Sequence, residues 1–103
     1  MKCVVRKIPH AELDAAEAAR WYEQQQPGLG LRFLDDVDAA VEFIIHNPEV
    51  PALKFLQARR VRLHTFKNYA VYYVVRGNEI IIFAVGDGRR NPGWIQQRRQ
   101  LLG

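Results

Sequence analysis

Residues 59–67 read Arg-Arg-Val-Arg-Leu-His-Thr-Phe-Lys. Val61, Leu63 and Thr65 alternate with Arg60, Arg62 and His64, which is the period of a β-strand. If Val61 and Leu63 face a core, Arg60, Arg62 and His64 face outward together, ~7 Å apart along one strand. Lys67 lies just past that strand. Arg89 and Arg90 follow the end of the last strand, where a loop can bring them to the same surface. Either Tyr72 or Tyr73 points outward as well, because adjacent strand residues face opposite sides. The result is a cationic surface with one imidazole and at least one phenol. It suits a polyanion, since guanidinium forks bind phosphates bidentately and aromatic rings stack on bases. The plain alternative is a solvated basic face balanced by acidic helices.

The remaining chemistry-bearing residues read as structural. His46 falls near a helix C-terminus, where a cation is favourable, and His10 at a solvent-facing junction. No two histidines and no cysteine pair have metal-ligand spacing, so no metal and no cofactor is expected. The glycines form neither a P-loop nor a dinucleotide fingerprint. Asp14, Glu17, Asp35, Asp36 and Asp38 look like helix-surface acids. Cys3 reads as a small core residue, and Trp21 and Trp94 as packing anchors.

The elements that must position the cationic strand follow from periodicity. Residues 2–8 are rich in Val and Ile and read as a strand that Pro9 ends. A helix is expected over 9–26, with a stripe of Ala11, Ala15, Ala18, Ala19 and Tyr22 small enough for close helix packing. After the breaker Pro27-Gly28-Leu29-Gly30, a second helix is expected over 31–46. Its Phe33, Leu34, Val37, Val41, Ile44 and Ile45 recur at three- and four-residue steps, and Asn47-Pro48 stops it. The short connection makes the two helices an antiparallel hairpin. Residues 48–57 read as a loop. Strands follow over 58–65, 69–76 and 79–85, the last two joined by Gly77-Asn78, a two-residue hairpin signal. Residues 94–102 suggest a short C-terminal helix. The order β-α-α-β-β-β describes an α+β fold, with a helical hairpin packed on a largely antiparallel sheet.

Composition bounds the rest. The chain has 103 residues, 49% of them apolar and 25% charged, which suits one globular domain over 1–103. Residues 1–50 carry five Lys or Arg against nine Asp or Glu, a formal −4; residues 51–103 carry ten against two, a formal +8. No apolar run approaches the ~18–20 residues of a membrane span. The charged start lacks the apolar stretch of a signal peptide, and the single cysteine allows no internal disulfide. A cytoplasmic protein with no membrane partner is expected.

Three segments carry a family resemblance. Ala18-Ala19-Arg20-Trp21-Tyr22-Glu23 with Pro27 to Leu34 resembles the helical hairpin of the RelE/ParE toxin superfamily, in its plasmid-stabilisation, ParE-like branch. Arg59 to Phe66 with Tyr69-Ala70-Val71-Tyr72-Tyr73 resembles its Arg-rich strand and the tyrosine strand that follows. Phe83 to Pro92 with Trp94 and Arg98 resembles its C-terminal motif. The resemblance implies the toxin of a type II toxin–antitoxin system, held in a hetero-oligomer by a cognate antitoxin. It implies a growth inhibitor that poisons DNA gyrase in the ParE manner, or a ribosome-dependent mRNA endoribonuclease of the RelE type, or an inactive descendant. In the nuclease reading His64, Arg62, Arg90 and Tyr72 are catalytic, because 2′-hydroxyl attack needs an acid, a base and cations around the phosphorane. In the gyrase reading Arg59, Arg60, Arg62, Lys67, Arg89, Arg90, Trp94 and Arg98 form the binding surface. Asp87 stands where many relatives have histidine, which weighs toward gyrase.

Overall fold

A computed structural model describes residues 4–89 and 92–103; Cys3 and Arg90 lie outside them. Strand β1 (Val4–Lys7) leads into helix α1 (Pro9–Gln25), with Pro9 in the first turn, where its missing N–H costs nothing. Helix α2 (Leu29–His46) runs back along α1. Then come β2 (Leu53–Phe55), β3 (Ala58–Arg62), β4 (Tyr69–Arg76), β5 (Glu79–Asp87) and α3 (Pro92–Gln100). The five strands form one sheet in the order β1-β5-β4-β3-β2, antiparallel except for β1 alongside β5. The expected α+β architecture is the one observed.

The helical hairpin is unusually close, and Gly30 explains it. A Cβ on Gly30 would sit 2.5 Å from the Ala19 carbonyl oxygen of α1. The α2 N-terminus is capped from α1: the Glu23 carboxylate accepts the Gly28 N–H at 2.9 Å and the Gly30 N–H at 3.0 Å. An anion there answers both the orphan donors and the helix dipole. Gly28, at φ 88°, makes the turn into α2.

The core lies between the hairpin and the sheet. Phe33, Val37, Val41 and Ile44 of α2 meet Val71 and Tyr73 of β4 and Ile80 and Ile82 of β5, all buried. At one end Tyr22, Phe33, Phe66 and Tyr69 form an aromatic cluster with ring centroids 4.7–5.9 Å apart. A bulge between Tyr72 and Tyr73 in the β4–β5 ladder interrupts the alternation of β5.

Three expectations need correction. Residues 48–57 are not all loop: β2 pairs with β3 across a turn at Leu56 (φ 46°) and Gln57 (φ 65°), two residues that carry no turn signature. The strand over 58–65 stops at Arg62, because the Asp36 carboxylate of α2 takes the Thr65 and Phe66 N–H groups at 2.8 and 3.0 Å and turns the chain away. Trp21 is no packing anchor; it is 55% exposed, edge-on to Tyr22.

Candidate functional site

The register of β3 on β4 decides which residues share a face. Arg60 pairs with Tyr72 and Arg62 with Ala70, while Arg59 pairs with Tyr73 and Val61 with Val71. Directly opposed residues point to the same side of a sheet. Arg60, Arg62 and Tyr72 therefore share the face away from the α1–α2 hairpin. Tyr73 is on the hairpin side, fully buried, its hydroxyl donating to the Pro48 carbonyl at 2.8 Å. Burial pushes the Tyr73 phenol above its ordinary pKa, with Arg59 opposing. Of the two tyrosines Tyr72 is therefore the one on the far face, but at 4% exposure it is buried there rather than pointing into solvent as expected.

On that face Arg60, Arg62, Lys67 and Tyr72 line a recess of about 190 Å³, with Asn68 and the Gly88–Arg89 turn closing its end. A second recess of about 220 Å³ adjoins it, walled by Lys54, Phe55, Asp87, Ile95 and Gln96. The two share Arg60, Tyr72 and Gly88. Gly88 is where they meet: a Cβ there would lie 3.9 Å from the Tyr72 hydroxyl and 4.0 Å from the Arg60 guanidinium. Its N–H donates to the Asn68 carbonyl at 2.8 Å, which fixes the turn. The Arg60, Arg62 and Lys67 side chains make no hydrogen bond or ion pair with any described residue, so their charges face the recess unneutralised.

Other expected members are placed elsewhere. His64 lies past the end of β3, exposed, and does not line the recess. The Asp36 clamp stops the alternation that would have aligned it with Arg60 and Arg62. Arg59 is turned to the hairpin side, where its guanidinium donates to the Glu49 and Pro51 carbonyls. Arg89 reaches the recess wall, but its guanidinium is held bidentately by Asp87 at 2.8 and 3.1 Å, a pairing that keeps it protonated even more firmly. The same pair acts on the aromatic cluster. Burial, then the Tyr69 phenol and the Asp87 carboxylate, push the Tyr22 pKa up, and Arg89 pulls it back.

Trp94 and Arg98 hold the fold together. The Trp94 ring packs against Gly86, which leaves no room for a side chain there, and the Arg98 guanidinium sits 5.2 Å above that ring. Arg98 also closes a gap in the sheet. Strand β1 pairs only with Glu79 to Ile82, so β5 beyond that point has an unpaired edge. Asp14 of α1 accepts the Val85 N–H at 3.0 Å, and Arg98 of α3 donates to the Phe83 carbonyl at 3.1 Å. The two side chains join each other at 2.7 and 3.0 Å, each only 15% exposed. This clasp satisfies backbone groups that would otherwise be stranded. Asp14 and Asp36, read from sequence as surface acids, are both structural.

Chemically the site has cations, a buried phenol and an apolar neighbour. Its nearest carboxylate, Asp87, is committed to Arg89, and no imidazole reaches it. Among the described residues no cluster of His, Cys, Asp or Glu is arranged to hold a metal ion, and no helix is long and apolar enough to cross a membrane. The residues that sequence reasoning missed are Lys54 and Phe55, hidden in a segment read as loop, and Gly88, whose lack of a side chain keeps the two recesses continuous.

The solved structure "Chromosomal ParDE TA system from P. aeruginosa" contains a chain similar to this one with a TM-score of 0.73 at 17% identity. The match covers 84% of this chain and 96% of that one. At that identity the likeness speaks for the fold. No curated protein sequence gives a significant match. The family model described as the ParE toxin of the type II toxin–antitoxin system parDE matches residues 6–92. With most of its length matched by that model, the chain belongs to the ParE toxin family of type II toxin–antitoxin systems.

Proposed function

We propose that this toxin arrests growth by binding DNA gyrase through the face that carries Arg60, Arg62 and Lys67, with no hydrolytic step of its own. The observation that carries this reading is the make-up of the recess. RNA cleavage by 2′-hydroxyl attack needs a group to take the hydroxyl proton and another to protonate the leaving oxygen. Here His64 does not line the recess, and both Asp87 oxygens engage Arg89. The groups left there with a proton to move are Lys67 and the buried Tyr72 phenol, with no imidazole or carboxylate lining the recess beside them, which favours holding an anionic partner over activating it. An antitoxin is the second partner, a reading supported by membership of a toxin–antitoxin family and by the likeness to a chain of a ParDE system.

The test is a supercoiling assay with purified gyrase and relaxed plasmid. Micromolar toxin is expected to block supercoiling, and Arg60→Ala/Arg62→Ala to need at least tenfold more protein. Unchanged supercoiling, together with mRNA 5′ ends that cluster at ribosomal A-site codons in induced cells, would replace this reading with the nuclease.

A further inference from the structure

The two recesses differ in chemistry but share a wall. One is lined by unpaired cations, the other by Phe55 and buried Ile95, with Tyr72 and Arg60 between them. An apolar slot opening directly off a cationic patch matches the two halves of a nucleotide: its phosphate wants guanidinium and ammonium donors, and its base wants an apolar contact beside them. We propose that the trough takes one unpaired nucleotide of a DNA strand, its phosphate between Arg60, Arg62 and Lys67 and its base in the slot formed by Phe55 and Ile95.

An unpaired strand is specified because a duplex keeps its bases stacked inside, where they cannot enter a side slot. Lys54, Gln96 and Asp87 also line that slot; the first two can donate to the edge of a base, and the Asp87 carboxylate is paired with Arg89. Gly88 sets the width of the passage. The nearest atoms to a Cβ there are at ordinary contact distance, so an added methyl fits, and a longer side chain would project between the two recesses. The assignment to DNA rests on the gyrase reading, since gyrase opens and passes DNA; the trough itself rests only on the geometry.

Fluorescence anisotropy of toxin alone with a labelled dT 12-mer tests the proposal, alongside a U 12-mer and a 12-base-pair duplex. The single DNA strand is expected to bind at least tenfold more tightly than the duplex. Its affinity should fall about fivefold for a tenfold rise in salt, as one neutralised phosphate of a single strand requires. Gly88→Leu and Phe55→Ala should each weaken binding about tenfold. Lys67→Ala, an exposed loop position that cannot disturb the core, should weaken it severalfold, which keeps the test decisive if the other variants fold poorly. No binding at low salt overturns the proposal. So does equal binding of strand and duplex that Gly88→Leu and Phe55→Ala leave unchanged, which would mean charge alone. Tighter binding of the U 12-mer overturns the assignment to DNA. Strand binding by a toxin that leaves supercoiling unchanged overturns the gyrase reading and supports the trough; blocked supercoiling without strand binding does the reverse.

Discussion

Arg62 and Arg98 are the same residue type in the same cationic half of the chain, and their surroundings give them opposite uses. Arg62 is exposed at the end of β3 and pairs with no described residue. Arg98 is 15% exposed and locked to Asp14 and the Phe83 carbonyl. Removing one partner of a buried pair strands the other charge, at a cost of about 3–5 kcal/mol. Arg98→Ala is therefore expected to lose about 3 kcal/mol, a fall of more than about 10 °C in melting temperature for a domain of this size. Arg62→Ala should change stability by less than about 0.5 kcal/mol while weakening target binding. Thermal melts of both variants, read beside the supercoiling assay, separate the roles. An Arg98→Ala protein that melts like the wild type would mean that the clasp contributes nothing.

At the scale of elements, the helical hairpin was readable because two independent signals agreed on it. The period of Phe33, Val37, Val41 and Ile44 gave α2 its buried face, and the alanines of α1 announced a close neighbour. The closeness itself is set by Gly30, whose missing side chain admits the Ala19 carbonyl. Gly30→Ala is expected to cost about 1–3 kcal/mol as the helices are forced apart, read as a lower urea midpoint with an unchanged slope. An unchanged midpoint would mean that the hairpin spacing is soft. The β2–β3 hairpin was not readable, since Leu56 and Gln57 take positive φ without being Gly, Asn or Asp. With β2 went Phe55 and Lys54, half of the apolar slot. His64 was misplaced for a related reason. Alternation predicts facing only while a strand continues, and the carboxylate that ends β3 comes from Asp36, 29 residues away in the chain. The choice between Tyr72 and Tyr73 needed the register of β3 on β4, which a single strand does not contain.

At the scale of the whole molecule, the −4 and +8 halves are not simply two faces. Arg98 crosses to the acidic half at Asp14, and Arg59, Arg76 and Arg99 hold backbone carbonyls. The cations of the second half left without a partner among the described residues are Lys54, Arg60, Arg62 and Lys67, and all four line the trough. An acidic antitoxin segment therefore has one concentrated target. Raising salt from ~0.05 to ~0.5 M shortens the screening length from roughly 14 Å to roughly 4 Å, so the toxin–antitoxin affinity should fall at least tenfold over that range. The triple variant Arg60→Ala/Arg62→Ala/Lys67→Ala should bind more weakly at low salt and lose most of the salt dependence. Isothermal titration at three salt concentrations measures both effects. The molecule offers a defined alternative: a mainly apolar groove of about 200 Å³ between the hairpin and the sheet edge, lined by Ala15, Leu34, Val37, Val41 and Ile82, with Lys7, Glu12 and Asp38 also in its walls. A partner seated there would be held by apolar burial, which salt does not screen. A salt-insensitive affinity that the triple variant leaves intact would place the antitoxin in that groove and leave the trough uncovered.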